Sequence, residues 1–198
     1  MTGMPKQTPS QTLGPFFAYG ITPGQYGYGH PDIAGSLLRD ETTAGEAIRI
    51  EGCIYDGAGK TVPDAILEIW QADAQGRYAA RAAAGGANAA FTGFGRCGTG
   101  TLPGDMFAFD TVKPGADGNG AAPHATVVLF MRGLLTHAFT RIYFADDAAL
   151  HATDPVLAAV PEARRHTLIA PRRDTPLGPV YRFDIHMQGD RETVFLDV

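Results

Sequence analysis

From Ala47 onward the chain alternates apolar and polar positions in twos: Ile48, Ile50 and Ile54 interleave with Arg49, Glu51 and Cys53. That is the period of a strand with one buried face. After the turn-rich DGAGKTVPDA comes ILEIWQA, which is β-prone on both faces and is predicted to be a central strand, antiparallel and adjacent to the first. Shorter β-rich runs recur at MFAFDTV, TVVLFMRG, HAFTRIYF, YRFDIHMQ and TVFLDV, most of them separated by segments bearing Gly or Pro. Short strands spaced by turns predict an all-β fold, a sandwich or barrel. The one convincing helical stretch covers 154–165, with Asp154 as its cap and Pro155 in its first turn; Pro161 is expected to interrupt it or to start a second turn.

The first 45 residues lack a sustained period and are rich in Pro, Gly, Thr and Tyr, so they read as an extended arm with turns. Phe16, Phe17, Tyr19, Tyr26 and Tyr28 make this arm too apolar for a free tail, so it is expected to pack against something. The division this suggests is an arm at 1–45 followed by a β-domain at 46–198. AARAAAGGANAA, at 79–90, sets helix-favouring alanines against two glycines and reads as a mobile loop.

The composition, 44% hydrophobic and 19% charged, is that of a folded protein. A net charge of -5 with acidic and basic residues interspersed leaves no basic footprint for nucleic acid. No apolar run is long enough to span a bilayer and the N-terminus lacks the apolar core of a secretory signal, so a cytoplasmic location is expected. Cys53 and Cys97 form no CxxC pair and are expected to be buried, reduced thiols.

Most catalytic motifs are excluded. GFGRCG fits the GxGxxG spacing, with Asp117 about twenty residues on, but TGTLPGDMF follows it where a dinucleotide site needs a helix, so it reads as a glycine-rich loop between strands. Neither Ser10 nor Ser36 sits in a GxSxG elbow, and there is no P-loop. The six histidines include no HxH and no HExxH pair. Asp117, His124 and His137 remain a conceivable two-histidine, one-carboxylate set on neighbouring β segments. Arg132 is either a solvated strand-end arginine or a carboxylate clamp, and because it follows VVLFM it is expected beside the same sheet end as His124.

TPSQTLGPFF, IYDGAGKTVPDAILEIWQADAQGRY, FGRCGTG, TVKPG, PHATVVLF, RIYF, RRHTLIA and YRFDIHMQG together resemble, in order and over nearly the whole chain, the intradiol ring-cleaving dioxygenases. The resemblance implies a β-sandwich of mixed topology with an extended N-terminal arm, peripheral loops and a short helix. It also implies a non-haem ferric ion held by two tyrosines and two histidines. Tyr78 in QGRY matches the first tyrosine and His124 the first histidine. The second tyrosine falls at or near Asp117, and the second histidine is replaced, the HxH unit reading His124-Ala125-Thr126. Nearby, Ala121 stands for an expected arginine and Arg141 for an expected glutamine.

With two of four ligands gone, Tyr78 and His124 are expected to be relics, and no metal and no catalytic residue is assigned to this chain. Fe3+ is expected instead on a homologous iron-binding partner chain, in a higher-order αβ assembly acting on an aromatic catechol acid and O2. By the same resemblance Thr12, Gly14 and Pro15, with Gln11 and Phe16 as neighbours, would line the substrate cleft, and Arg132 would meet the acid's carboxylate. Two other readings are a self-sufficient dioxygenase with ligands replaced by Asp117 or His137, and a purely structural assembly subunit.

Overall fold

A computed structural model describes residues 12–14, 16–78 and 91–197. The 79–90 segment, read above as a loop, and Pro15 lie outside the described residues. Among the described residues ten strands form two sheets: β1 Ala47–Tyr55, β2 Ile66–Gln71, β3 Phe94–Gly98, β4 Met106–Val112, β5 His124–Phe130, β6 Ala138–Phe144, β7 Ile169–Ala170, β8 Arg172–Thr175, β9 Gly178–Arg182 and β10 Ile185–His186. In one sheet β1 pairs antiparallel with β4 and parallel with β9 and β10, and β8 closes the edge beyond β9. The other has the order β3-β2-β5-β6-β7. Both mix parallel and antiparallel pairs, and their facing sides share one core. Ile48, Ile50, Phe107 and Phe109 from the first sheet enter it, with Leu67, Ile69, Val127, Leu129 and Ile142 from the second. The fold is the expected β-sandwich of mixed topology.

Three expectations change. The strands β1 and β2 are not neighbours: each lies in a different sheet, because the connection at 56–65 crosses from one layer of the sandwich to the other. GFGRCG is largely a strand, β3, paired along β2 from Trp70↔Phe94 to Ile66↔Gly98. The described part of TVFLDV, 193–197, forms no strand but touches β6 through the isolated bridge Phe139↔Leu196.

Helices are short and peripheral: α1 Phe17–Ile21, α2 Ala148–His151, α3 Pro155–Ala159 and α4 Glu162–Arg165. The last two divide at Pro161 as expected, and Asp154 caps α3 by accepting from the backbone N–H groups of Val156 and Leu157. No helix among the described residues is long and apolar enough to cross a bilayer. Both cysteines are buried and free.

Part of the arm docks on its own domain. The Gln25 side chain bonds the backbone of Gly98 and the hydroxyl of Thr101, and the Tyr26 hydroxyl donates to the Thr99 carbonyl. Residues 35–39 lie between the free margins of the two sheets. The N–H of Leu38 and the carbonyl of Ser36 bond Asp110 on β4, while the carbonyls of Gly35 and Leu38 accept from Arg96 on β3 and from Thr92. Gly95 admits this segment, since a Cβ there would lie 2.5 Å from the Leu38 side chain.

Candidate functional site

The β2-β5-β6 sheet turns Leu67, Ile69, Val127, Leu129, Ile142 and Phe144 into the core. The two-residue period then places Trp70, His124, Thr126, Arg141 and Tyr143 on its other face. Register sets the arrangement: Trp70 and Arg141 flank Thr126 on either side, and Tyr143 lies across from His124. The family-matched tyrosine, Tyr78, comes from the loop after β2 and stacks on Trp70 with ring centroids 6.4 Å apart.

Tyr78 and His124 meet each other. His124 is buried, and its Nδ1 lies 2.8 Å from the Ala122 carbonyl. A carbonyl oxygen only accepts, so Nδ1 carries the proton and Nε2 of the neutral ring is the acceptor. The Tyr78 hydroxyl, 3.4 Å from Nε2, donates to it. Burial pushes the His124 pKa down; the Ala122 carbonyl opposes this and the Arg141 charge adds to it. Burial pushes the Tyr78 phenol up, with Asp117 adding and Arg141 opposing. Both groups are therefore held neutral.

Beside them Arg141 donates from Nη1 to the Tyr143 hydroxyl at 3.3 Å, and Tyr143 donates to Asp154 Oδ1 at 3.1 Å. Arg141 forms no ion pair with any described residue. The buried Asp154 also takes the N–H groups of Ala122, Val156 and Leu157. Burial, with Arg141 opposing and Asp154 adding, sends the Tyr143 phenol up to about 12. Sequence reasoning reads Asp154 as a cap but misses its long-range bonds to Ala122 and Tyr143, which no local spacing records.

The remaining candidates assemble elsewhere. Arg132 lies past the far end of β5 from His124, on the order of 25 Å away at about 3.3 Å per residue, so the two do not share a sheet end. A seven-residue strand separates its ends too widely for that. His137 goes with that far end, its ring 5.7 Å from Phe130, so the Asp117, His124, His137 set is not brought together. Thr12 joins Arg132: its hydroxyl accepts from the N–H of Gly133 at 2.9 Å. Gly14 starts the turn into α1, its carbonyl accepting from Phe17. Arg132 is 56% exposed and pairs through Nε with Oδ2 of Asp64, a residue the sequence reading did not single out.

Comparison with known proteins follows the same lines. The family model described as Dioxygenase matches residues 21–189. The chain is 50% identical over 194 residues to the protocatechuate 3,4-dioxygenase alpha chain of Burkholderia cepacia, covering 98% of both chains. It is 33% identical over 172 residues to the beta chain from the same organism, covering 80% of this chain and 71% of that one. Among solved structures, the dioxygenase domain of a carbohydrate-binding fusion from Streptomyces sp. SirexAA-E superposes with a TM-score of 0.63 at 22% identity, covering 96% of this chain and 100% of that one. A sandwich of this topology, the ordered motifs and these likenesses agree: the chain belongs to the intradiol ring-cleaving dioxygenases.

Proposed function

We propose that this chain is the alpha subunit of a protocatechuate 3,4-dioxygenase. In that reading it assembles with an iron-bearing beta subunit into αβ units that cleave protocatechuate with O2 to 3-carboxy-cis,cis-muconate in aromatic catabolism. The likeness to an alpha chain at 50% identity, against 33% for a beta chain, supports the choice of subunit. The observation that carries the division of labour is the donor set. Tyr78 and His124 are already bonded to one another, Thr126 occupies the place of the second imidazole, and the cation of Arg141 stands directly across from it. A hard trivalent ion needs several anionic or strong donors and is repelled by a neighbouring guanidinium, so these residues do not fit ferric iron. The ring-cleaving chemistry of Fe3+ is accordingly assigned to the beta subunit. The free, buried thiols suit a reducing cytoplasm.

This chain contributes to substrate binding through Arg132 and, by the family resemblance, through Thr12, Gly14 and Pro15 of the arm, of which Thr12 is tied to the N–H of Gly133. Exposed and far from the relic pair, Arg132 is suited to a cleft that a second chain completes. Its role is to bind and orient: a guanidinium matches the ring carboxylate in charge and geometry. The test is iron content and visible absorption of the chain purified alone and co-expressed with its beta partner. Iron-free alone and a tyrosinate-to-iron band in the complex are expected; stoichiometric ferric iron in the isolated chain would overturn the assignment.

A further inference from the structure

The ladder between β2 and β5 pairs Ile66 with Phe130. Carried two residues further on both strands, the same antiparallel register sets Asp64 opposite Arg132, and there the two side chains form an ion pair, Asp64 Oδ2 to Arg132 Nε. They are unequal partners. The Asp64 side chain is 14% exposed and sits in the turn entering β2, whereas Arg132 is 56% exposed. The other oxygen of Asp64, Oδ1, is buried and accepts no hydrogen bond from any described residue. On the next residue, Gly133 is tied to Thr12 of the arm.

We propose that Asp64 is a positioning residue for Arg132: it takes the guanidinium by Nε and leaves Nη1 and Nη2 as an outward fork for the carboxylate of the aromatic acid. The inference rests on the reading of Arg132 as a substrate-binding residue. An exposed arginine samples many rotamers, and a tether at Nε removes that freedom before the ligand arrives. Two parallel N–H donors then remain for a bidentate carboxylate contact. The negative charge of Asp64 also weakens the attraction for a second carboxylate, so the two effects predict opposite signs on removal of Asp64. Positioning is expected to prevail, because the bidentate contact depends on orientation.

The experiment is steady-state kinetics of the assembled heteromer with protocatechuate and with a catechol lacking the carboxylate. The variants are Asp64→Asn, Asp64→Ala, Arg132→Ala and the double variant Asp64→Ala/Arg132→Ala. Each Asp64 variant is expected to raise KM for protocatechuate by roughly three- to tenfold, with kcat and the plain-catechol parameters nearly unchanged. The double variant is expected to match Arg132→Ala alone. If Arg132→Ala raises KM while both Asp64 variants leave it unchanged or lower it, Asp64 does not position and the inference falls alone. Equal loss with both substrates would mark general damage and overturn it too. A silent Arg132→Ala would instead overturn the underlying reading of Arg132. Asp64→Asn preserves the shape of the turn and keeps the test open if Asp64→Ala fails to fold.

Discussion

Asp154 joins three parts of the chain with one carboxylate: α3 through Val156 and Leu157, the approach to β5 through Ala122, and β6 through Tyr143. Asp154→Ala strips all of these at once and should cost about 2–4 kcal/mol, since a lost cap and newly unpaired buried donors each cost about 1–2 kcal/mol. Denaturant titration of the variant would measure it. Burial works to raise the Asp154 pKa, but the backbone donors Leu157 and Ala122, with Tyr143, outweigh it and hold it below the ordinary carboxylate range. The unfolded chain thus takes up this proton at a higher pH than the folded one. Stability from Asp154 is complete above the unfolded value near pH 4 and is lost as pH falls through the lower folded one. Asp154→Asn should flatten that acid limb in a series of melts, and an unaltered limb would contradict the assignment. The local part of this residue's role was legible as Asp-Pro opening a helix. Its bonds to Ala122 and Tyr143 were not, because they join segments distant in sequence.

Among the elements, most strands were legible because one apolar face repeats every second residue, as in Ile48, Ile50 and Ile54. Partnership was not. Both β1 and β2 carry apolar faces that meet across the core, and a pattern of inward-facing side chains is the same whether two strands share a sheet or face one another. Gly52 shows what else the pattern conceals: a Cβ there would lie 1.8 Å from the Phe183 carbonyl oxygen, so glycine permits the chain between β9 and β10 to press against β1. Gly52→Ala forces that backbone away, and about 1–3 kcal/mol of destabilisation is expected, read as a lowered Tm. A melt equal to that of the parent would show that the neighbouring segment can shift at no cost.

At the scale of the molecule, Tyr78 meets His124 and Thr12 meets the Arg132 segment, and one strand holds these pairs at opposite ends. Linear spacing gave no sign of that separation until β5 had a length and a direction. Outward from the sandwich, Phe16 at 77% and Tyr28 at 55% exposure cluster with Tyr19, an apolar surface of the kind that partners cover. Removal of residues 1–20 should weaken association with the beta subunit by roughly tenfold or more, measured by co-purification and sedimentation; intact assembly would exclude this surface from the contact. Residues 35–39 carry a different consequence. They bond to β3 and to β4, so their place does not exist until both sheets have formed, although they are synthesised before either. Closure therefore depends on both sheets, and without it the margins of β3 and β4 would stand unpaired. If the seam closes after the sheets, slow growth of aggregates during refolding, suppressed at low protein concentration, is the expected outcome, and refolding free of any concentration dependence would contradict it.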